Sequence, residues 1–527
     1  MISKSKTLLA AAAFAAISLQ AQIFGQSATT VPSPTPTPAP LAAPSPAFAQ
    51  TLEGLRSKIK ERLAAPILRR GQVGVKIVSL NTGKIVFEQN ADKYFMPASN
   101  MKNFTVAAAI ERLSPDFRFV TSVYAPSAAD AGGVINGDVR VYGRGDVSFS
   151  TLFTGGDPAA VVDDLANKIV QAGIKRIEGS LIGDDSYFVG NPVPGTWEYE
   201  DLQWYYGAEI SALSLNDNTI GLSVTPGPVG YSCSASMRPA NTIYRVTNQC
   251  LTVPAGSPRT LTITKAIDRN ELLITGELPV GSGGFTGQIT VSRPAELFVS
   301  LLKQRLGSLG VVVTGQTRTE RVIRTPDQSG IEIVRRESPP LALIAAKTMK
   351  PSQNMYTETL LYTLGEDHRA KNRSNPQVAN KESSELGIEA VKSFMAQIGA
   401  EPDELLQYDG SGLSRHNLVT PNAVIRVYTY MAKQSRYAAA WRDSLTIGGV
   451  DGTLANRFKG TRAAANMRGK TGTIDQVSAL SGYVTTAGGD QLVVSFLVNG
   501  VAATGDRVSM IDDIVISLAN FGGKLDQ

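Results

Sequence analysis

Ser99 and Lys102 stand three positions apart, as S-x-x-K, where a run of helical texture begins. Residues i and i+3 at a helix start share one face, so the hydroxyl and the amine can meet. A serine hydroxyl is a weak nucleophile until a base takes its proton, and a lysine is such a base only if its pKa is depressed. Backbone N–H groups at the helix start could stabilise an oxyanion. The spacing predicts a nucleophile and its base, or else a capping serine before a surface lysine.

A second candidate pair is Ser352 and Asn354, an S-x-N just ahead of another helix-like run. The serine could relay a proton, and the asparagine amide could bond the backbone of a substrate. Serine and asparagine are both common at helix starts, so the pair alone is weak evidence for a site.

A third candidate is Lys470-Thr471-Gly472-Thr473, at the edge of a strand-like run. Glycine lets another backbone approach closely, as a ligand lying along an edge strand requires. The lysine and the two threonine hydroxyls would suit a carboxylate of a substrate. The alternative is an ordinary glycine turn.

Hydrophobic periodicity predicts the elements that would position these residues. The predicted helices cover residues 52–63, 101–113, 159–172, 294–306, 341–348, 355–364, 384–398 and 507–521, and the clearest predicted strands cover 73–80, 84–88, 477–484 and 491–498. From about residue 119 to 335, short β-branched runs alternate with glycine-rich turns, which predicts one or two β-rich modules. The pattern is that of helices flanking a sheet, split by a long insertion.

Length and composition bound the function. A chain of 527 residues is too long for one compact core, and 43% hydrophobic with 18% charged residues excludes a largely disordered chain. The net charge of +5 is small, and no basic run with interleaved aromatic residues occurs, so nucleic-acid binding is unsupported. With 2 Cys and 2 His, a zinc site built on cysteine clusters is excluded, and we expect no metal and no cofactor.

The first residues have the features of an export signal. Lys4 and Lys6 precede an apolar stretch at 8–19, and Ala21 is a plausible cleavage position. The stretch is shorter than the ~20 residues that span a membrane, although an uncleaved anchor is the alternative. We therefore predict a signal peptide at 1–21 and a periplasmic or otherwise extracytoplasmic protein.

A proline-rich linker is predicted at residues 22–50, with seven prolines among the fifteen residues 32–46. Ala47-Phe48-Ala49 is a second small-residue sequence at which the signal could be cleaved. In an oxidising compartment Cys233 and Cys250 are expected to form a disulfide; the alternative is two separate buried thiols.

S-x-x-K, S-x-N and K-T-G, in this order, are the signature of penicillin-binding proteins and serine β-lactamases. The chain resembles the low-molecular-mass class C penicillin-binding proteins, the D-alanyl-D-alanine carboxypeptidase/endopeptidase family S13. The stretches that carry the resemblance are 96–102, 206–208, 211–218, 338–341, 350–354, 409–415, 449–454, 470–473 and 480–483. Two departures are the absence of proline after Asp146 and the presence of Gly469 before Lys470; neither changes a catalytic side chain.

The resemblance implies an α+β fold with a penicilloyl-serine transferase domain of the β-lactamase/transpeptidase type, an antiparallel sheet flanked by helices. Residues 51–118 and 336–527 would form this discontinuous domain. Residues 119–335 would form the β-rich insertion, as two nested modules. An insertion of this length is typical of the family and is much shorter in β-lactamases.

The resemblance also implies a reaction, hydrolysis of the D-Ala-D-Ala bond of peptidoglycan stem peptides through an acyl-enzyme on Ser99. Lys102 would take the serine proton, and Ser352 would pass a proton to the leaving amine beside Lys470. Asn354 would bond the substrate backbone. β-Lactam antibiotics would acylate the same serine.

Thr471, Gly472 and Thr473 are implied substrate-binding residues, and the N–H groups of Ser99 and Thr473 would form the oxyanion hole. In relatives an aspartate of the insertion pairs with the free amine of diaminopimelate, and Asp184 is the best match here. The alternative is that Asp184 caps a turn.

Other functions stay open at this point. A Ser-His-Asp hydrolase could use His416 with Ser411, but no G-x-S-x-G nucleophile elbow occurs there. A β-lactamase, and a cell-wall-binding module with weak or no turnover, are further alternatives. The residues do not decide between carboxypeptidase and endopeptidase action, nor whether the protein forms a homodimer or associates loosely with membrane or cell wall.

Overall fold

The structure, a computed structural model, describes residues 51–322 and 330–525. The predicted signal peptide and proline-rich linker lie outside this part. Among the described residues no helix combines the length and apolar character needed to span a bilayer.

The helices and strands are numbered in chain order. The α-helices are α1 Leu52–Leu63, α2 Lys102–Leu113, α3 Thr151–Thr154, α4 Asp163–Gln171, α5 Pro294–Ser308, α6 Leu341–Met349, α7 Asn354–Lys371, α8 Pro376–Ala379, α9 Ser383–Gln397, α10 Pro421–Lys433, α11 Ala438–Ser444 and α12 Thr504–Asn520. Short 3₁₀ turns occur at Pro66–Leu68, Ala98–Met101, Pro158–Val162, Tyr199–Gln203, Tyr205–Gly207, Asn216–Asn218 and Gly452–Leu454.

The strands of the first half are β1 Gln72–Ser79, β2 Ile85–Gln89, β3 Val120–Ala125, β4 Val134–Asn136, β5 Val139–Tyr142, β6 Arg176–Glu178, β7 Leu181–Asp184, β8 Thr219–Thr225, β9 Ser234–Arg238, β10 Arg245–Asn248, β11 Leu251–Val253 and β12 Thr262–Lys265. The remaining strands are β13 Glu271–Thr275, β14 Glu277–Pro279, β15 Phe285–Thr290, β16 Val312–Val313, β17 Thr317–Glu320, β18 Ile331–Glu337, β19 Leu405–Leu406, β20 Leu418–Val419, β21 Thr446–Ile447, β22 Arg468–Ile474, β23 Val477–Thr485 and β24 Gln491–Asn499.

The main sheet has six antiparallel strands in the order β2-β1-β24-β23-β22-β21. It joins the hairpin near the start of the described chain to the long strands near its end, since β1 pairs with β24 from Gln72 opposite Asn499 to Ser79 opposite Leu492. In β24 every residue after Gln491 is buried. A strand that buries both sets of side chains needs cover on both faces of its sheet.

Helices supply that cover. Helices α1 and α12 pack together over one face, in a core that includes Val75, Phe496 and Ile514. Helices α2, α7 and α10 contribute to the core on the other face, which includes Phe104 and Leu497. The α+β class and the antiparallel sheet flanked by helices are therefore confirmed.

The segment between β3 and β18 forms further sheets. The largest has the order β17-β7-β5-β3-β18, so that the first and last strands of the segment, β3 and β18, are antiparallel neighbours. A separate small core around Leu222, Ile274 and the disulfide of Cys233 and Cys250 lies within this segment of the chain. The predicted division into a split catalytic domain and two nested modules stays a prediction; β18 extends to Glu337, slightly past the predicted boundary at 335.

Candidate active site

Ser99 lies in the 3₁₀ turn Ala98–Met101, which leads directly into α2. The turn is held on one side by the loop at 409–414. Gly412 has φ +85° and packs so closely on this turn that a Cβ at this position would overlap the carbonyl oxygen of Ala98. The loop and the turn can meet only because residue 412 is glycine.

Lys102 is the first residue of α2 and its side chain is fully buried. Its Nζ lies 3.0 Å from Ser99 Oγ, 2.6 Å from Asn354 Oδ1 and 2.8 Å from the carbonyl oxygen of Ser411. Burial lowers the pKa of Lys102 to about 7, opposed by the charges of Asp409 and Glu358. A neutral amine has two N–H groups, which the two carbonyl-type oxygens accept, so its lone pair is directed at the Ser99 hydroxyl.

Ser352 and Asn354 flank the start of α7, with Ser352 in the left-handed region at φ 64°. A non-glycine residue there is strained, and such residues are often found in functional sites. Asn354 accepts from Lys102 through Oδ1 and donates through Nδ2 to the carbonyl of Tyr206 at 2.9 Å. Both ends of the amide thus have partners, so the resting geometry suits Asn354 to holding the lysine.

Lys470 on β22 is the second fully buried lysine. Its Nζ donates to Ser352 Oγ at 2.8 Å and to the carbonyl of Thr471 at 2.9 Å. Burial, and then the charge of Lys102, lower its pKa well below the usual value. The structure therefore brings together Ser99, Lys102 and Asn354 in one hydrogen-bonded group, with Ser352 and Lys470 paired beside it.

Strand β22 lies against the turn of Ser99. Asn100 Nδ2 donates to the carbonyl of Lys470 at 2.9 Å. A Cβ on Gly472 would lie 2.5 Å from the carbonyl oxygen of Pro97 and 3.1 Å from the backbone nitrogen of Asn100. Because real Cβ contacts are longer, only glycine allows this approach of the strand to the turn.

The outer edge of β22 is open beyond its first residues. Strand β21 pairs only with Arg468 and Gly469, so from Thr471 onwards this edge has no strand partner in the described part of the chain. Thr473 is exposed, and Thr471 Oγ1 is 2.7 Å from Thr453 Oγ1. An open edge beside a nucleophile can take an extended peptide as an added strand.

Two buried carboxylates near Lys102 were not assigned a role by the sequence reasoning. Glu358 accepts from the backbone N–H groups of Gly410 and Ser411 at 2.9 and 2.7 Å. Asp409 accepts from the backbone N–H groups of Gly412 and Ser414 in the loop that follows. A charged residue inside the otherwise uncharged helical run predicted at 355–364 was the sequence signal for Glu358. Asp409 belongs to the D-G-S-G stretch that supported the resemblance.

The structure does not bring Asp184 to this site. Its side chain is only 1% exposed and lies in β7, where its Oδ2 is 2.5 Å from Arg140 Nη1 and its Oδ1 accepts from Ser186 N at 2.9 Å. A carboxylate that is closed to solvent and paired with a guanidinium has no free face for a substrate ammonium in this arrangement. The substrate-binding role of Asp184 stays a prediction, and its partners in the structure favour a structural role.

The alternative Ser-His arrangement is also not formed. The Ser411 side chain is buried and accepts from Leu413 N, whereas His416 packs its ring on Tyr408, with centroids 5.4 Å apart. Neither side chain contacts the other, so within residues 51–322 and 330–525 Ser411 has no histidine base in contact.

Comparison with known proteins supports these assignments of fold and class. The sequence profile of the family "D-Ala-D-Ala carboxypeptidase 3 (S13)" matches residues 55–520. The D-alanyl-D-alanine carboxypeptidase of Actinomadura sp. (strain R39) is 32% identical over 495 residues, which cover 91% of this chain and 88% of that protein. The D-alanyl-D-alanine carboxypeptidase DacB of Haemophilus influenzae is 25% identical over 442 residues, covering 83% and 87%.

Among solved structures, penicillin binding protein 4 (dacB) from Haemophilus influenzae matches with a TM-score of 0.74 and 23% identity, over 88% of this chain and 99% of that one. At this identity the likeness demonstrates a shared fold. A second structure of the same Haemophilus influenzae protein, complexed with a novel beta-lactam, is similar to this chain with a TM-score of 0.68 and 22% identity.

Proposed function

The chain belongs to the D-Ala-D-Ala carboxypeptidase 3 (S13) family, and we propose that it hydrolyses D-Ala-D-Ala peptides of peptidoglycan through an acyl-enzyme on Ser99. It is a serine-type D-Ala-D-Ala carboxypeptidase, with endopeptidase action on cross-links as the second reaction of the same site. The observation that carries the proposal is the 3.0 Å contact between Ser99 Oγ and the buried amine of Lys102.

Acylation starts with the transfer of the Ser99 proton to Lys102. A lysine whose pKa is about 7 is substantially neutral at physiological pH, so the amine can accept this proton. Ser99 Oγ then bonds to the carbonyl carbon of the penultimate D-Ala. The contacts of Lys102 with Asn354 and Ser411 keep the lone pair on the hydroxyl, which makes Asn354 a positioning residue in this proposal.

The leaving group requires a proton when the C–N bond breaks. In this proposal Ser352 passes one to the departing amine of D-Ala, which is supported by the contact in which its hydroxyl accepts from Lys470 and stays able to donate onward. The proton that reaches the amine is the one that Lys102 took from Ser99, passed on through Ser352 while Lys470 holds the Ser352 hydroxyl, so Lys102 ends this step neutral. Water then hydrolyses the acyl-enzyme, with Lys102 as the base again.

We propose that the stem peptide lies along the open edge of β22. Thr471 and Thr473 present hydroxyls there to the terminal carboxylate, and the N–H groups of Ser99 and Thr473 stabilise the oxyanion. Gly472 keeps the strand close enough to the turn of Ser99 for both N–H groups to reach one oxygen. β-Lactams would react as mimics of the same peptide.

An extracytoplasmic location is part of the proposal. It is supported by the export features of residues 1–21 and by the disulfide between Cys233 and Cys250, a bond that persists in oxidising compartments. The substrate, peptidoglycan, lies outside the cytoplasmic membrane.

The proposal is tested with fluorescent penicillin and a D-Ala-D-Ala peptide. Penicillin should label the wild type covalently, with the adduct on Ser99 by peptide mass spectrometry, and D-Ala should be released from the peptide. Ser99→Ala should abolish both, whereas Ser127→Ala, at an exposed serine of the inserted segment, should change neither. Labelling that survives in Ser99→Ala would refute the assignment.

The same preparation separates the alternatives. Rapid release of hydrolysed penicillin would indicate a β-lactamase, and stable labelling without D-Ala release would indicate a wall-binding module. Mass spectrometry of purified muropeptides should show loss of the terminal D-Ala, and cleavage of cross-linked dimers would add endopeptidase action.

A further inference from the structure

Asp409 is a buried carboxylate with four N–H donors and, among the described residues, no cation in contact. It accepts from Gly412 N, Ser414 N and Asn417 Nδ2, each at 2.7 Å, and from Trp197 Nε1 at 2.9 Å. Its side chain is closed to solvent. Both of its oxygens act as acceptors, and three of the four donors belong to residues 412–417, so the side chain fixes this loop.

Glu358 is the second carboxylate and holds the same loop from the helix side. It is fully buried on α7, one helical turn after Asn354, and accepts from Gly410 N and Ser411 N. Glu358 thus holds the N–H of Ser411, and the carbonyl of the same residue accepts from Lys102 Nζ at 2.8 Å. A movement of this carboxylate would therefore move an acceptor of the catalytic amine.

In the described structure no direct ion pair joins the buried lysines of the site to the buried carboxyl groups near them. Lys102 and Lys470 are both buried, and so are Glu358 and Asp409. The negative charges of Asp409 and, to a smaller extent, Glu358 raise the pKa of Lys102 against the larger effect of burial. Burial, and after it the charge of Lys102, lower the pKa of Lys470.

We propose that Asp409 and Glu358 are positioning residues for acylation, which orient the amine of Lys102 through the carbonyl of Ser411, with Asp409 as its main counter-charge. The inference rests on the proposed function, in which Lys102 is the base. It adds that the D-G-S-G loop is part of the catalytic apparatus without contacting substrate. The segment between β3 and β18 contributes to this arrangement as well, because its residue Trp197 donates to Asp409.

The test measures the second-order rate of Ser99 acylation by fluorescent penicillin against pH in Asp409→Asn and Glu358→Gln. Asp409→Asn removes a negative charge that favours protonated Lys102, so the amine becomes free base at lower pH. We expect the acid limb of the rate–pH profile, the range in which the rate rises towards its plateau, to lie about one pH unit lower in Asp409→Asn than in the wild type. The rate at its plateau should fall roughly 10-fold or more, because the Ser411 carbonyl is no longer held in place.

The shift should be smaller in Glu358→Gln. Burial and the charge of Asp409 raise the pKa of Glu358 to about 8, so over the acid limb this group carries less charge to lose. The order of the two shifts, with Asp409 ahead of Glu358, is itself part of the prediction. If Asp409→Asn does not fold, the smaller downward shift in Glu358→Gln decides the question.

Glu366→Gln is the matched control. Glu366 is a buried carboxylate on the same helix, but its partners are Arg369 and Ser383. This change should lower the thermal stability and leave the acid limb in place. An acid limb that does not move in Asp409→Asn and Glu358→Gln, or that moves equally in Glu366→Gln, would overturn the inference.

The wild type in the same experiment reports on the proposed function separately. A wild type that does not react at Ser99 would refute the proposed function. If the wild type reacts but the acid limb moves in neither carboxylate variant, only the role of Asp409 and Glu358 is refuted. Variants that lose rate without any shift of the acid limb would refute that role too, because such a loss indicates that the loop has collapsed.

Discussion

The rate of acylation by penicillin should depend on pH through Lys102. The base must be neutral to take the Ser99 proton, and burial lowers its pKa to about 7. The neutral fraction is then about 0.5 at pH 7, about 0.09 at pH 6 and about 0.9 at pH 8. The second-order rate should therefore rise about tenfold from pH 6 to pH 8 and level off above that.

Burial has a large effect on this rate. With the ordinary lysine pKa of 10.5, only about 3 in 10,000 amines would be neutral at pH 7, so the buried site increases the free base roughly 10³-fold. The opposing cost is that protonated Lys102 is poorly solvated. The buried acceptors Asn354 Oδ1 and Ser411 O reduce this cost but do not remove it.

Stopped-flow fluorescence between about pH 5 and pH 9, under pseudo-first-order conditions, gives the required rates. The enzyme is returned to pH 7 after each exposure and assayed again, so that unfolding at the extremes is not mistaken for titration. A rate that is flat from about pH 6 to about pH 8, or that still rises steadily at about pH 9, would show that Lys102 does not titrate near neutrality. Either result would refute the argument from burial.

Three further predictions concern single residues. Gly472→Ala should lower acylation roughly 10²-fold, because the new Cβ forces β22 away from the nucleophile turn, whereas Gly307→Ala, with open space around it, should leave the rate unchanged. Asp184→Asn should lower the free energy of unfolding by about 3 kcal/mol, because its buried partner Arg140 loses its counter-charge. If Asp184 has only this structural role, the ratio of variant to wild-type kcat/KM should be the same for a peptide with a free side-chain amine as for a peptide without one. Thiol counting on denatured, non-reduced protein should find no free thiol, and two free thiols would contradict the disulfide. Replacing Cys233 and Cys250 by serine should lower the free energy of unfolding by about 3 kcal/mol without changing the acylation rate.

Local sequence patterns predicted most elements near the site. The helix predicted at 101–113 begins at Lys102, and the strands predicted at 477–484 and 491–498 each extend by a residue. The helix predicted at 355–364 in fact continues to Lys371. The prediction ended too early because the hydrophobic periodicity weakens where the charged residues of the last turns begin. Helices at 421–433 and 438–444 were not predicted, although a threonine cap and a proline precede the apolar positions of the first.

The pairing of Ser99 with Lys102 was determined by the sequence itself. Three positions at the start of a helix place two side chains on one face whatever the rest of the chain does, because the backbone geometry is local. The order of the three motifs, with the stretches around them, likewise determined the family and therefore the class of reaction.

The tertiary structure decided everything that depends on distant residues. Ser352 and Lys470 meet because β22 is paired into the main sheet beside the turn of Ser99, and no local pattern encodes that register. Burial, which sets the pKa of Lys102, is a property of the packed core around it. Asp184 matched the expected substrate contact in sequence, yet the pairing of β7 with β5 places it beside Arg140 and away from solvent, because strand register determines which side chains face a partner.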